Sequence, residues 1–323
     1  MNDFRIPLGT WVEVVFDFVT QHFGFFFDFI RFTFAGAFEI VDYLLVTPPF
    51  WLIILLAAVL AYAVRGWKFF LGTIAGLLLI VGMNQWENAM ATLSLVLVAS
   101  VIALAMSIPL GILAAKSKTA SSIIRPVLDF LQTMPAFVFL IPALLFFGVG
   151  EVPGIVATII FAMAPGVRLT ELGIRGVDPE VVEAGSAFGA SPGRILRQIQ
   201  LPLALPTIMA GINQVIMLSL SMVVIAGMVG AGALGAEIMT SLSRIDIVLG
   251  SEAGLAVVIL AIFLDRVTAA LGTGSTPLGR FIAARKGSTG SSTPPASTPP
   301  ASAPPASAPV ETAAVVTPER ASV

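Results

Sequence analysis

Seven apolar segments follow one another along the chain between residues 49 and 271. They cover residues 49–64, 69–84, 90–114, 127–148, 152–167, 206–229 and 252–271. Each approaches the roughly 20 residues that a helix needs to cross about 30 Å of hydrocarbon. A helix satisfies its own backbone hydrogen bonds in lipid, whereas an isolated strand does not. The pattern therefore predicts an all-α integral membrane protein with about seven transmembrane helices. Several segments carry a proline, which predicts kinks and shifted boundaries; these are Pro109, Pro135, Pro142 and Pro165.

A Phe-rich stretch precedes the first of these segments. Its charged side chains interrupt the aromatic ones too often for a helix that crosses lipid, and they are Asp17, Asp28, Arg31, Glu39 and Asp42. An amphipathic helix lying in the membrane interface fits this pattern better. We therefore predict that residues 1–46 form an N-terminal interfacial arm, with a poorly ordered arm as the alternative.

Composition and charge restrict the class of protein further. The 323 residues are 57% hydrophobic and 11% charged, so too few polar side chains exist to cover a soluble fold. The net charge is −2 and the basic residues form no stripe with aromatic ones, which argues against nucleic-acid binding. With no cysteine and one histidine, His22, the chain offers no disulfide framework and no zinc site. Residues 1–5 lack the basic region that opens a cleaved signal peptide.

Basic residues concentrate in alternate connections between the segments, and this bias predicts the orientation in the membrane. Fourteen of the 17 fall on one side. They are Arg65, Lys68, Lys116, Lys118, Arg125, Arg168, Arg175, Arg194, Arg197, Arg266, Arg280, Arg285, Lys286 and Arg320. Arg5, Arg31 and Arg244 remain for the other side. The N-terminus should therefore lie outside and the C-terminus in the cytoplasm, which requires an odd number of spans.

The last residues form a separate region of low complexity. Residues 287–323 are rich in Pro, Ala, Ser and Thr, and a five-residue repeat begins at Thr293, Thr298 and Ala303. Such a composition cannot bury a core, so we predict a disordered tail with polyproline II character.

One long polar connection, between Arg168 and Pro206, has clear helix punctuation. Asp178 is placed to cap a helix that starts at Pro179, and Gly189 is placed to end it. Ser191 and Pro192 then repeat the cap-and-start pattern for a second helix that runs to about Gln200. The sequence predicts a cytoplasmic hairpin of two short helices at about residues 176–202, from which Pro202 and Pro206 lead back into the membrane.

The hairpin also carries a specific motif. The spacing Glu-Ala-(small)-x3-Gly-x9-Ile-x-Leu-Pro is formed by Glu183, Ala184, Gly185, Gly189, Ile199, Leu201 and Pro202. It resembles the EAA signature of permease subunits in binding-protein-dependent ABC importers, with Gly185 where Ala is usual. Flanking stretches at residues 132–137, 147–154, 167–170 and 201–214 resemble the glycine betaine/proline osmoprotectant importers within that family. The resemblance covers roughly residues 40–286.

The resemblance implies a type I ABC importer permease fold, in which the hairpin is a coupling helix that enters a cleft of the ATPase subunit. The residues it assigns to ATPase coupling are Glu183, Ala184, Gly185, Ser186, Phe188, Gly189, Ala190, Ser191, Ile199, Leu201 and Pro202. It implies two ATP-binding subunits, an extracytoplasmic solute-binding protein and a homodimer of the permease in the bacterial plasma membrane. ATP and magnesium would belong to the partner subunits, because the chain contains no Walker-type phosphate loop. The chain itself would hold no cofactor and no metal, and it would be a non-catalytic subunit of an ATP-hydrolysing complex.

Polar residues inside apolar segments are candidates for the translocation pathway, because they are costly in lipid. Gln132 and Thr133 lie early in the fourth segment, and Asn213 lies early in the sixth. Phe137 and Met217 lie near them along the chain and complete this candidate set. The alternative is that these polar groups bond to neighbouring helices or to lipid headgroups.

Two other classes of protein compete with the importer. A secondary transporter should show paired inverted repeats and ionisable residues at mid-span, and the sequence shows no convincing repeat. A membrane-embedded enzyme needs a nucleophile with its base, or metal ligands in one plane, and the sequence offers no such set. Within the importer class, the solute could instead be choline, carnitine or an amino acid.

Overall fold

The computed structural model describes residues 8–273, and every regular element within them is a helix. The α-helices are α1 (Leu8–Val46), α2 (Phe50–Arg65), α3 (Trp67–Gly82), α4 (Trp86–Lys116), α5 (Lys118–Thr133), α6 (Leu140–Phe147), α7 (Glu151–Arg175), α8 (Pro179–Ala187), α9 (Pro192–Ile195), α10 (Leu201–Ala226), α11 (Ala233–Arg244) and α12 (Ile247–Thr273). The all-α class is thereby confirmed. The predicted tail at residues 287–323 lies outside the described residues.

The helices include several that are long and apolar enough to cross a bilayer. Four helices pass on length and composition: Trp86–Lys116, Glu151–Arg175, Pro192–Val229 and Ile247–Ala270. The number rises to six if each of two sharply bent helix pairs counts as one span. The helices α2 and α3 have 16 residues each, which gives about 24 Å at 1.5 Å per residue. The chain is thus a multi-pass membrane protein, and the count of seven spans stays a prediction.

The fourth predicted segment, residues 127–148, is not one helix. The amphipathic α5 ends at Thr133, and a 3₁₀ turn, Ala136–Phe139, leads into α6 at an angle of 109°. Pro135 causes the break, because a proline ring disfavours helical geometry in the preceding residue. Met134 accordingly has extended dihedral angles, φ −77° and ψ 136°. The proline was expected to kink a helix, and instead it separates two helices that point in different directions.

The predicted N-terminal arm is a long helix over the part that the structure describes. The 39-residue α1 is kinked at Phe23 and meets α2 at 97°, after Pro48 and Pro49 interrupt the helix. Phe27 stacks on Phe146 of α6 with ring centroids 4.4 Å apart. The angle of 97° places α1 across the direction of α2. That arrangement suits an interfacial helix, and its depth in the membrane stays a prediction.

The helix α7 occupies the centre of the bundle, where it packs against both α4 and α10. Glycines permit this close approach. A Cβ atom added at Gly111 of α4 would lie 2.5 Å from Cβ of Thr170 on α7, and one added at Gly166 would lie 2.5 Å from Oγ of Ser107. A Cβ at Gly211 of α10 would meet Leu169 at 3.0 Å. Small residues at helix contacts are the usual basis of association in membranes, because lipid removes the hydrophobic drive between helices.

Gly111→Ala should therefore separate α4 from α7 and destabilise the protein by about 1–3 kcal/mol, the usual cost of overpacking. Gly254→Ala on α12 is the matched control, because no atom of a neighbouring helix lies within 4 Å of a Cβ added there. Thermal unfolding of the detergent-purified protein checks the difference. Equal melting temperatures for the two variants would contradict the close packing of α4 on α7.

Candidate functional site

The first helix of the predicted hairpin forms as the sequence indicates. The Asp178 side chain accepts a hydrogen bond from the Glu180 amide at 2.9 Å, which caps the N-terminus of α8. At the other end, the Ala190 amide donates to the Gly185 carbonyl at 3.1 Å and the Gly189 amide donates to the Ser186 carbonyl at 2.9 Å. These two bonds make a Schellman cap. Gly189 has φ +78°, a left-handed conformation that glycine adopts without strain.

The second helix differs from the prediction. It begins at Pro192, but the Ser191 side chain makes no capping bond, and the helix does not end near Gln200. It continues through a π turn, Leu196–Gln200, as one helix over Pro192–Val229. The Leu201 amide donates to the Leu196 carbonyl five residues back. The wider turn lies directly before Pro202, so the proline is accommodated without ending the helix.

The connection is also shorter than expected, because α7 continues to Arg175 instead of ending near residue 167. Arg168 and Arg175 therefore lie on α7, and the polar hairpin starts only at Gly176. The added turns are held by contacts that no local pattern contains. Gly173, for example, packs so closely on α10 that an added Cβ would meet Thr207 at 3.1 Å.

Two positions of the motif meet where the two halves of the hairpin pack together. A Cβ added at Gly185 would lie 2.7 Å from Cδ1 of Ile199 and 3.6 Å from Cγ1 of Ile195. The small residue thus gives Ile199 a seat against α8. This contact explains why a small side chain and an isoleucine 14 residues later belong to one motif.

The residues that the resemblance assigns to ATPase coupling form a largely exposed surface. Its exposed members are Glu183, Ala184, Ser186, Phe188, Gly189, Ser191 and Pro202, and its partly buried members are Gly185, Ala190, Ile199 and Leu201. The Phe188 side chain is 92% exposed at the tip of the hairpin. A large aromatic side chain presented in this way is suited to filling a pocket on a soluble partner.

The base of the hairpin is fixed to three long helices by an apolar cluster. Its buried members are Ile174, Val177, Leu196, Ala204 and Ile208. Val182 of α8 and Ile112 of α4 pack against it. A force on the exposed surface would therefore reach α4, α7 and α10 together.

Three of the predicted pathway residues lie around the bend between α5 and α6. Gln132 Nε2 donates to the Phe161 carbonyl of α7 at 3.2 Å, and Thr133 Oγ1 donates to the Phe130 carbonyl at 2.8 Å. Phe137 is half exposed in the turn that follows. These contacts leave the pathway role of the three residues as a prediction.

Asn213 and Met217 lie on α10, and Asn213 bonds to the neighbouring helix α12. Its Nδ2 donates to Oδ1 of Asp265 at 3.2 Å, and the Thr268 hydroxyl donates to its Oδ1. The contacts correspond to the alternative reading, in which a polar group in a span joins helices. Met217 is partly buried.

Sequence reasoning missed a buried carboxylate in the last turns of α7, just before the hairpin begins. Glu171 of α7 is 2% exposed. It accepts hydrogen bonds from Ser121 at 2.7 Å and from Arg125 at 3.0 and 3.2 Å, and its Oε1 lies 3.0 Å from Nε of Arg175. The acid and Arg175 are four residues apart, which was a visible local signal. The α5 partners lie 46 and 50 residues away and could not be identified from spacing.

Comparison with known proteins supports the fold and the family. Residues 107–274 match the family described as "binding-protein-dependent transport system inner membrane component". The chain is 48% identical over 269 residues to the glycine betaine/carnitine transport permease protein of Listeria monocytogenes, covering 82% of this chain and 95% of that one. It is 45% identical over 281 residues to the glycine betaine/proline betaine transport system permease protein of Escherichia coli, covering 85% and 77%.

A third relative and a solved structure extend this comparison. The glycine betaine transport system permease protein of Bacillus subtilis is 46% identical over 265 residues, covering 82% of this chain and 94% of that one. A methionine ABC transporter in an inward-facing conformation matches with a TM-score of 0.55 at 19% identity, covering 59% of this chain and 96% of that chain. The predicted type I ABC importer permease fold is confirmed.

Gly189→Val should disrupt the hairpin turn, because a β-branched residue at φ +78° costs about 1–2 kcal/mol. Gly193→Val is the matched control: neither glycine has an atom within 4 Å of an added Cβ, and only Gly189 has a positive φ. Hydrogen exchange in residues 179–200 should rise about tenfold in the first variant only. Equal exchange in both variants would contradict the left-handed turn.

Proposed function

The chain belongs to the family of inner membrane components of binding-protein-dependent transport systems, and we propose that it is the permease of an ATP-driven importer for glycine betaine or a related betaine. The observation that carries the proposal is the relatedness at 45–48% identity to three permeases whose names all include glycine betaine. The chain covers 77–95% of their lengths, so the comparison concerns nearly the whole subunit.

The hairpin geometry supports a coupling role for the exposed surface that Glu183 and Phe188 help to form. In this proposal two permease copies line one path, an ATPase subunit docks on each hairpin, and a solute-binding protein delivers the solute outside. The N-terminus lies outside and the C-terminus in the cytoplasm. ATP with magnesium binds only the partner subunits, and this chain catalyses no reaction.

Coupling then needs no chemistry in the permease. Closure of the ATPase pair moves the two hairpins, and the apolar cluster at the hairpin base passes the movement to α4, α7 and α10. ATP favours the outward-facing state because the complex binds it more tightly in that state. After the solute has left and ATP has been hydrolysed, this preference is lost and the complex returns to the inward-facing state.

Uptake of labelled glycine betaine into proteoliposomes that contain the complete complex tests the function. Uptake should require the ATPase subunit, the binding protein and ATP, and carnitine and choline should compete more weakly than unlabelled glycine betaine. Uptake that persists without ATP would exclude this class of transporter. Stronger competition by choline would assign a different solute to the same machinery.

Glu183→Lys should weaken docking of the ATPase subunit about tenfold or more, because it reverses a charge in the exposed surface of α8. Glu87→Lys is the matched control, since Glu87 is also exposed but lies at the start of α4, whose other end contacts the hairpin base. Co-purification of the ATPase subunit and ATP-driven uptake are the measurements. Unchanged docking and uptake in the first variant would make the coupling assignment wrong.

A further inference from the structure

The helix α5 faces α7 with a stripe of polar side chains, one turn apart. The stripe consists of Ser121, Arg125, Asp129 and Gln132. Ser121 and Arg125 bond to Glu171, Asp129 bonds to Arg168, and Gln132 bonds to the Phe161 carbonyl. Later residues of α5 thus meet earlier residues of α7, so the two helices run antiparallel side by side. Positions on α5 and α7 that contact each other therefore lie at about the same depth in the membrane.

The two ion pairs of this stripe differ in how completely they are satisfied. Glu171 is buried and receives bonds from Ser121, Arg125 and Arg175. Arg175 also donates to the Ala114 carbonyl of α4 at 2.7 Å. A carboxylate with this many partners fixes the helices to one another, and its burial closes it to a ligand.

The Asp129–Arg168 pair is open by comparison. Its side chains are 65% and 42% exposed, and Arg168 Nη2 contacts only Oδ1 of the carboxylate. Within residues 8–273, neither Oδ2 of Asp129 nor Nε of Arg168 has a further hydrogen-bond partner. Each group can therefore accept another partner without breaking a saturated network.

The place of this pair along α7 indicates what it faces. Arg168 lies inside the candidate span Glu151–Arg175, seven residues before its end, which is about 10 Å along the helix. Charged groups within spans face a bundle interior or a water-filled cavity, because lipid solvates them poorly. The short Asp129 side chain at the same depth cannot extend to the headgroups as a lysine can. An exposed pair at this position points to a wet passage.

We propose that Asp129 and Arg168 form a binding site for a zwitterionic solute in the passage through this permease. The planar guanidinium of Arg168 binds the carboxylate of the solute, and the Asp129 carboxylate faces its quaternary ammonium group. The proposal rests on the proposed function, since it assigns a step of solute passage to named residues.

The arrangement favours zwitterions over simple cations. When the pair opens, a betaine supplies a counter-charge to both residues at once, so no charge is left unpaired. A cation such as choline pairs with Asp129 alone and leaves Arg168 without its partner, so one charge of the site stays unpaired. The site therefore provides a second selection for the carboxylate, after the binding protein.

Thiol labelling can test this directly, because the chain contains no cysteine. Gln132→Cys places one thiol in the polar stripe next to the pair, and Val127→Cys places one about 140° away around α5. The complete permease–ATPase complex in nanodiscs is treated with a water-soluble thiol reagent, with and without glycine betaine or choline. No binding protein is added, so protection reports the permease itself.

The expected result is rapid labelling of the Gln132→Cys variant that glycine betaine slows and equal choline does not. The rate for the Val127→Cys variant should not depend on either solute. Adding Arg168→Gln or Asp129→Asn should raise the half-protecting concentration of glycine betaine at least tenfold, equivalent to about 1.4 kcal/mol. Adding Arg125→Gln should leave protection intact, because Arg125 engages Glu171 instead.

Failure of the Gln132→Cys variant to react, or equal protection by choline, would overturn the proposal. So would protection that survives Arg168→Gln and Asp129→Asn, or protection that is lost to the same extent with Arg125→Gln. Either of these two mutant results would make the Asp129–Arg168 pair an ordinary exposed ion pair that contributes little energy. ATP-driven uptake of glycine betaine by the unmodified complex separates the two hypotheses. Uptake without protection refutes only this site, whereas absent uptake refutes the proposed function.

Discussion

The close approach of α7 to α4 and α10 is the constraint on which the remaining architecture depends. Lipid supplies no hydrophobic drive between helices, so contact area and complementary shape must hold them together. Gly111 and Gly166 provide this by removing side chains where the backbones come nearest. Because α7 is fixed between α4 and α10, its last turns place Glu171 in the interior and determine the direction in which the hairpin begins. The polar contacts around Glu171 and the placement of the hairpin thus both depend on these glycines.

The features that the sequence predicted are those with local causes. The α8 cap at Asp178 and the left-handed turn at Gly189 each depend on a few neighbouring residues, and the structure forms both. Apolar length likewise located the long helices. The errors arose where tertiary contacts decide: Pro135 was visible, but the 109° change of direction depends on where α6 packs. The helix from Pro192 to Val229 is continuous because a π turn accommodates Pro202, and no periodicity of the sequence indicates such a turn.

The candidate site was predictable to a similar extent. The motif identified the hairpin, and its spacing now has a physical basis in the seat that Gly185 gives to Ile199. Of the stripe on α5, the sequence singled out only Gln132, because the partners of the stripe on α7 are 29 to 50 residues away along the chain. Its four polar residues recur at helical spacing, and that periodicity was the available signal. The ion pair of Arg125 with Glu171 joins two helices, whereas the ion pair of Asp129 with Arg168 is exposed and can accept another partner.

The π turn at Leu196–Gln200 has a consequence for evolution as well as for mechanics. A turn of this kind holds one residue more than an α-helical turn. Each residue of an α-helix advances the direction of its side chains by about 100°. The additional residue of the π turn therefore sets how far α9 is rotated about the helix axis relative to α10. Deletion of one residue here would rotate the hairpin by about 100° relative to α10, and so away from its contacts at the hairpin base. This stretch should tolerate exchanges of side chain far better than changes of length.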